Sequence, residues 1–216
     1  MKRTIIQNDK ANTSKTLKEA QQTHFIGSWN LENETLCNEI ISFFEENKLL
    51  QKASLNSLNI NLNKKKMTEI IIDPKDLSNS KFKSLNNYIK ELYKCFIDYQ
   101  DQWPFVKSLV KDVDIGLFNI QKYLPGDHFS KVHTERSNIE SSHRVLAWMT
   151  YLNEVEDGGT TNFSHYDIKV KPETGKTLIW PAEWTHAHSG EVLNSGVKYI
   201  VTGWMHFPRD YINKIE

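Results

Sequence analysis

Hydrophobic and polar residues follow two different periods along the 216-residue chain, helical in the first half and strand-like in the second. One apolar stripe with three- and four-residue spacing begins at Thr35, and Asn33 is its predicted N-cap. A second stripe of the same kind runs over residues 85–99. Both stripes are typical of helices that pack one face against a sheet. Residues 56–73, between them, alternate weakly and predict one or two strands.

After Pro104 the period is two, which predicts a series of short strands. They are rich in Val, Ile, Thr and aromatic residues, and they cover residues 115–123, 144–152, 162–171, 176–180 and 198–207. Several short strands without intervening helices are typical of two packed sheets, as in a sandwich or a jelly roll. We therefore predict an α+β fold with a jelly-roll (double-stranded β-helix) core and N-terminal helices packed on its major sheet.

The chain divides into a tail and one domain. Residues 1–22 are polar and lack periodicity, so a flexible N-terminal tail is expected there. A single domain is predicted over residues 23–216, with a helical region at 23–104 and the jelly-roll core at 105–208.

Charge and composition narrow the range of partners. Lys plus Arg and Asp plus Glu both total 27, so no overall positive field attracts nucleic acid. The N-terminus lacks the apolar segment of a signal peptide, and no window approaches the roughly 18 apolar residues of a membrane span. Cys37 and Cys95 lie in helix-like apolar stretches, where two half-buried thiols are favoured over a disulfide. We expect a cytoplasmic protein without nucleic-acid or membrane partners, of unknown oligomeric state.

Two short stretches carry candidate metal ligands. His133 and Glu135 follow the first core strand and share one face of an extended segment. His186 and His188, in the late stretch WPAEWTHAHSG, have the same spacing. Two histidines and one carboxylate form the facial triad of non-haem iron oxygenases, which leaves positions open for a cosubstrate and oxygen. Zinc accepts the same ligands, so these residues alone do not select the metal.

A lysine late in the sequence adds a second kind of evidence. Lys198 begins the predicted strand that follows both histidines, where it would project into the barrel beside the metal. A buried cation is unfavourable there unless an anion pairs with it, and a dicarboxylate cosubstrate would supply that anion. Taken alone, Lys198 is more simply interpreted as a surface lysine at a strand start.

Four stretches together resemble the iron(II)- and 2-oxoglutarate-dependent oxygenases, in particular the prolyl 4-hydroxylase-like branch found in phages and bacteria. The stretches are YLPGDHFSKVHTE, RVLAWMTYLNEVEDGGTTNF, VKPETGKTLIWP and HAHSGEVLNSGVKYIVTGW. In that family a tyrosine precedes a Gly turn and a His-x-Asp pair. A Gly-Gly-x-Thr-x-Phe strand, a Pro-x-x-Gly turn, the distal histidine and a Gly-x-Lys or Gly-x-Arg follow. The resemblance covers about residues 115–207.

The resemblance implies a dioxygenase that hydroxylates a C–H bond and uses Fe(II), O2 and 2-oxoglutarate as cosubstrate, with ascorbate as an optional cofactor. His133 and Glu135 would be metal ligands, and Lys198 would bind the distal carboxylate of 2-oxoglutarate. Tyr123 stands where the family places a tyrosine that contacts the cosubstrate, although a core aromatic residue fits that position equally well. The implied substrate is proline in a peptide or protein, with another protein side chain or a small molecule as alternatives.

Two positions need separate comment. Glu135 stands where the family usually has Asp, and replacing it by Asp is expected to be tolerated or to improve iron affinity because that restores the usual ligand. The distal ligand is His186 or His188. His188 lies ten residues before Lys198, a spacing common in prolyl hydroxylases, whereas His186 lies five residues after Pro181, as in many bacterial relatives. We predict His186.

Functions of two other classes stay open. A cupin-like metal-binding jelly roll could use the same histidines and glutamate without needing Lys198. An inactive oxygenase homologue could keep the fold and act as a binding module. Titration with iron(II) and 2-oxoglutarate discriminates between these functions, because only the oxygenase binds both together.

Overall fold

A computed structural model describes residues 1–4, 6, 24–53 and 65–208, and in these ranges the chain is mostly antiparallel sheet with few helices. The helices are α1 (Glu34–Glu46), α2 (Lys83–Gln102) and α3 (Pro104–Leu109). The strands are β1 (Lys2–Arg3), β2 (Gly27–Asn30), β3 (Lys52–Ala53), β4 (Thr68–Ile72), β5 (Asp114–Ile115), β6 (Phe118–Tyr123), β7 (Phe129–His133), β8 (Arg144–Tyr151), β9 (Thr161–Phe163), β10 (Ile168–Val170), β11 (Lys176–Pro181), β12 (His188–Gly190) and β13 (Lys198–His206).

The two predicted helices form where the apolar stripes lie. Asn33 caps α1 as predicted, because its side chain accepts a hydrogen bond from the Leu36 backbone N–H at 3.0 Å. The second helix, α2, is longer at both ends than the predicted stripe. One residue, Trp103, separates α2 from Pro104, which starts α3. The first N–H groups of a helix have no partner within it, so a proline there loses no hydrogen bond.

The strands form two antiparallel sheets. The larger sheet has the order β1-β2-β11-β8-β13-β6-β4-β3, and β5 pairs with β13 at its side. The smaller sheet has the order β10-β9-β12-β7. Neighbouring strands are mostly distant in sequence. In the larger sheet β6 pairs with β13, and in the smaller sheet β7 pairs with β12.

Strand β8 shows why the larger sheet is apolar on both faces. Trp148 belongs to a core that also contains Tyr88 and Phe96 of α2, whereas Ala147 and Met149 belong to a second core shared with the smaller sheet. Successive side chains of a strand point to opposite faces, so β8 supplies both cores by alternation. The second core is the one that continues into the candidate site.

Two predicted strands are each divided in the structure. The strand predicted over residues 115–123 is β5 and β6, separated at Gly116, where a side chain would collide with the ring of His206. The strand predicted over residues 162–171 is the hairpin β9–β10, which turns at Asp167 with a φ of 54°. The first break is caused by a residue distant in the sequence, and the second is caused by a turn. The alternation of apolar and polar residues along a strand predicts neither.

Only part of the predicted N-terminal tail lies within the described residues. There, Lys2–Arg3 is a strand rather than a flexible segment, because it pairs with β2 and Arg3 donates two hydrogen bonds to Asp98, at 2.6 and 3.0 Å. The rest of residues 1–22, apart from residues 1, 4 and 6, lies outside the described ranges. In the stretch 56–73, β4 forms as predicted, and residues 54–64 lie outside the described ranges.

Cys37 and Cys95 are buried free thiols, in agreement with the sequence. None of the helices in the described ranges is both long and apolar enough to cross a bilayer.

Candidate metal centre and cosubstrate cavity

A cavity of about 220 Å³ lies between the two sheets and collects most of the predicted site residues. Strand β13 of the larger sheet lines it with every second residue, namely Lys198, Ile200, Thr202 and Trp204. Strand β6 does the same with Asn119, Gln121 and Tyr123. The side chains of His133, Glu135 and His188 line it from the smaller sheet. The cavity is therefore polar at its ends and lined by a regular strand pattern.

His133, Glu135 and His188 form a group whose ligand atoms lie within 4.8 Å of one another. His133 is the last residue of β7, and it stands directly opposite His188, the first residue of β12. Glu135 follows two residues after His133, where the chain leaves the strand. Antiparallel pairing of β7 and β12 thus brings together two histidines that are 55 residues apart in the sequence.

Both histidine rings are oriented for metal binding. The Nδ1 of His133 donates to the Lys131 carbonyl at 2.9 Å, and the Nδ1 of His188 donates to the His186 carbonyl at 2.9 Å. Because a carbonyl can only accept, the proton of each neutral ring is on Nδ1, and Nε2 is left as the ligand atom. These Nε2 atoms lie 3.6 and 3.2 Å from Glu135 Oε1. Backbone partners of this kind fix the tautomer of metal-binding histidines.

Glu135 is ionised in this setting. Burial acts to raise the pKa of its carboxyl, but in the metal-free protein hydrogen bonds and positive charge from the His133 and His188 rings, when these carry a second proton on Nε2, more than offset that effect and hold the pKa well below its usual range. The other carboxylate oxygen, Oε2, accepts a hydrogen bond of 2.6 Å from the indole Nε1 of Trp204. Two histidine nitrogens and one carboxylate oxygen, all facing one point, suit a divalent transition metal.

His186, the histidine predicted as the distal ligand, lies outside this group, whereas His188 belongs to it. The ring Nε2 of His186 donates to the His24 carbonyl at 2.8 Å, and its Nδ1 accepts from the Thr185 hydroxyl at 3.0 Å. Both ring nitrogens are therefore occupied. Burial also lowers the pKa of His186 to about 4, so the ring stays neutral.

The local backbone explains why the two histidines differ. His186 ends a 3-10 helix at Trp184–His186, and β12 begins only at His188. The rule that residues two apart share a face holds for an extended segment, and this segment is not extended. His186 consequently turns toward His24, and His188 alone faces His133.

Lys198 is buried and points into the cavity. Its Nζ donates to the Gly159 carbonyl at 2.9 Å and lies 4.4 Å from the centre of the Tyr123 ring. Both partners are neutral, and burial lowers the pKa of Lys198 to about 8, although the charge of Glu191 partly opposes this. Gly159 has a φ of 69°, and a Cβ there would press on the lysine stem at 3.2 Å. The absence of a side chain at Gly159 thus leaves room for the Lys198 side chain.

The cavity end at Lys198 also holds a residue that the sequence reasoning did not single out. Thr161 lines the cavity, and its Oγ1 accepts a hydrogen bond of 2.6 Å from the Tyr151 hydroxyl. Its own O–H proton faces only the Met149 sulfur at 3.9 Å among the described residues. The Tyr151 hydroxyl also lies 3.2 Å from the Val170 carbonyl, which can only accept, so when Tyr151 donates there the Thr161 proton is directed either to Tyr151 or to a ligand. Thr161 is the threonine of the Gly-Gly-x-Thr-x-Phe stretch, which could have identified it.

Tyr123 lines the same end of the cavity. Its hydroxyl donates to the Gln121 side-chain oxygen at 2.8 Å, and its ring lies in the core between the sheets. Its position is compatible with both roles considered from the sequence, a cosubstrate contact and a core aromatic residue.

Comparison with known proteins gives one family. Residues 118–206 match the model of the 2OG-Fe(II) oxygenase superfamily. The chain is 27% identical to a probable prolyl 4-hydroxylase 9 of Arabidopsis thaliana, over 41% of this chain and 40% of that protein. The chain therefore spans well under half the length of this curated relative.

Two solved structures share the fold. A viral collagen prolyl hydroxylase of Paramecium bursaria Chlorella virus-1, in complex with 2OG, superimposes with a TM-score of 0.64 at 14% identity, over 87% of this chain and 98% of that one. A prolyl hydroxylase from Trichoplax adhaerens, in complex with a peptide of the hypoxia-inducible factor oxygen degradation domain, gives a TM-score of 0.64 at 12% identity, over 92% of this chain and 91% of that one.

Proposed function

We propose that this chain, whose residues 118–206 form a prolyl 4-hydroxylase-like domain of the 2OG-Fe(II) oxygenase superfamily, is an Fe(II)- and 2-oxoglutarate-dependent hydroxylase. One observation carries the proposal: a group of two histidines and one carboxylate shares a cavity with a buried lysine that has neutral partners. A plain metal-binding protein needs the first of these features and has no use for the second.

Fe(II) is the proposed metal, held by His133, Glu135 and His188. The donor set leaves open coordination positions, which distinguishes a catalytic iron site from a closed structural site. Bound iron supplies the redox chemistry by which O2 oxidises both 2-oxoglutarate and a substrate C–H bond. The chain's own part is to hold the two Nε2 atoms toward one point and to keep the carboxylate ionised.

The distal carboxylate of 2-oxoglutarate is proposed to bind Lys198 and Thr161. The lysine would exchange its neutral contact with the Gly159 carbonyl for a charged partner, and the Thr161 hydroxyl would donate its proton. Charge-assisted hydrogen bonds of this kind are strong where water is excluded, and Lys198 is only 4% exposed. The keto-acid end would then face the metal group across the cavity. In this arrangement Tyr123 supports the lysine with its ring.

The proposed substrate is a proline residue in a peptide or protein. Support comes from the proteins of similar fold, which include a collagen prolyl hydroxylase and a prolyl hydroxylase in complex with a peptide. A small molecule is the alternative.

We also propose a specific architecture for the two sheets and a cellular location for the protein. We take the two sheets to be a double-stranded β-helix with α1 and α2 packed on the larger one, as the core shared by α2 and β8 supports. The cytoplasm is the proposed location, and the two free thiols suit its reducing conditions.

The decisive experiment mixes the purified protein with Fe(II), 2-oxoglutarate and proline-containing peptides in air, and measures succinate together with peptide mass. We expect succinate from wild type, a gain of one oxygen on an accepted peptide, and neither product from Glu135→Ala. Anaerobic titration separates the alternatives. Binding of metal without 2-oxoglutarate would indicate a cupin-like metal protein, and binding of neither would indicate an inactive homologue.

A further inference from the structure

The carboxylate of Glu135 uses its two oxygens for different purposes. Oε1 faces the histidine rings, 3.2 Å from His188 Nε2, and is the oxygen that belongs to the metal group. Oε2 points away and accepts the 2.6 Å hydrogen bond from the Trp204 indole. The distance is short for an N–H donor and is typical of a charge-assisted bond. The indole thus determines which carboxylate oxygen faces the metal position.

Arg144 contacts both the Trp204 ring and the backbone of Glu135. Its guanidinium lies over the indole face of Trp204, 3.7 Å from the ring centre, and so restricts rotation of that ring. The Nη1 of Arg144 also donates to the backbone carbonyl of Glu135 at 2.8 Å. One arginine therefore fixes the backbone of Glu135, and it acts on the end of the same side chain both through Trp204 and directly, with Nη1 3.9 Å from Oε2.

The Glu135 backbone, held by Arg144, and the Trp204 indole N–H are separated by a distance that a glutamate side chain spans. Replacing Glu135 by Asp removes one methylene and shortens the side chain by about 1.5 Å. An aspartate whose backbone is still held by Arg144 could reach the Trp204 indole or the metal position, but it could not keep both contacts. This geometry contradicts the expectation from the family pattern that Asp would be tolerated.

We propose that Trp204 and Arg144 form a positioning pair that adapts this metal centre to a glutamate ligand, so that Asp is a poor substitute here. The inference rests on the proposed function, because it assigns Glu135 to the metal. Trp204 and Arg144 are positioning residues in it, since they act on the ligand and not on the metal. The role predicts that shortening the acid and removing the indole N–H damage the same interaction.

The test measures Co(II) affinity and the Co(II) absorption spectrum, which require no turnover. We expect Glu135→Asp to bind Co(II) about 10- to 100-fold more weakly than wild type and Trp204→Phe about 10-fold more weakly, the range found when partners of metal ligands are removed. In the double variant Trp204→Phe should add less than about twofold, because the shortened acid no longer uses the indole. Arg144→Met, which keeps apolar cover on the indole but loses the donors, should also weaken binding.

Trp184→Phe is the matched control, since Trp184 is 67% exposed and the same ring is changed. Circular dichroism shows whether each variant is folded. The inference is overturned if wild type binds Co(II) and Glu135→Asp binds it equally well, or if the effects of the two substitutions simply add. Absence of Co(II) binding by wild type would instead overturn the proposed metal site itself, together with this inference.

Discussion

Lys198 and Tyr123 lie directly opposite each other on neighbouring antiparallel strands, and the Lys198 Nζ stands 4.4 Å from the centre of the Tyr123 ring. The contact places a buried cation over the negative face of an aromatic ring. Its hydrogen-bond partner, the Gly159 carbonyl, is also neutral. A buried charge is stabilised far better by an opposite charge than by neutral groups, so the lysine is prepared to accept a carboxylate.

Lys198→Ala is expected to weaken 2-oxoglutarate binding by about 30-fold or more, because removing one member of a desolvated charge pair costs about 2–5 kcal/mol. Calorimetric titration under nitrogen at fixed Fe(II) measures the effect. Metal binding without 2-oxoglutarate should change little, and Lys198→Arg should retain part of the affinity. Lys169→Ala, at an exposed position of β10, is the control. Equal affinity in Lys198→Ala and wild type would mean that another group binds the distal carboxylate.

The affinity for 2-oxoglutarate should fall as the pH rises above about 8. Burial lowers the pKa of Lys198 to about 8 in the free protein, so the cation that binds the carboxylate is lost above that pH. At a pH one unit higher about one lysine in ten is charged, and the dissociation constant should rise about tenfold. Titrations across this range in Lys198→Arg should show no such change, since arginine stays charged. A flat profile in wild type would contradict the assignment.

Lys198→Met is expected to stabilise the protein without cosubstrate by about 1–3 kcal/mol, since it removes a buried cation and keeps a similar shape. The pKa of Lys198 is lower in the folded than in the unfolded chain, so the penalty is complete below about pH 8 and disappears as the pH approaches the unfolded value. Denaturant unfolding at two pH values measures this. A Met variant that is less stable than wild type near neutral pH would show that the lysine already has a favourable partner.

His188→Ala should abolish Co(II) and Fe(II) binding, whereas His186→Ala should retain it. The reason is that His188 directs Nε2 at Glu135, while both ring nitrogens of His186 are occupied by Thr185 and the His24 carbonyl. His186→Ala should instead lower the free energy of unfolding by about 1–3 kcal/mol, because it leaves a buried carbonyl without its donor. Metal binding that survives in His188→Ala and disappears in His186→Ala would reverse the assignment.

Local pattern was sufficient for most of the secondary structure. The stripe that begins at Thr35 became α1 with Asn33 as its cap, and the alternation over residues 144–152 became β8. Both features depend on spacing within one segment and on a cap one residue away. The break at Gly116 was missed because it arises from His206, which is 90 residues distant in the sequence.

The sequence by itself determined which residue types were candidates for the site: His133 and Glu135 two residues apart, a late histidine pair, and Lys198 at a strand start. The prediction of His186 over His188 relied on the spacing of each histidine from Pro181 or Lys198, and both spacings are compatible with the family until the backbone between the two histidines is known. Tertiary structure separates the two histidines through a 3-10 turn and through the strand pairing that sets His188, and not His186, opposite His133. It also brought Trp204 within 2.6 Å of Glu135 across 69 residues of sequence, a contact that depends on how two sheets pack and not on any local pattern.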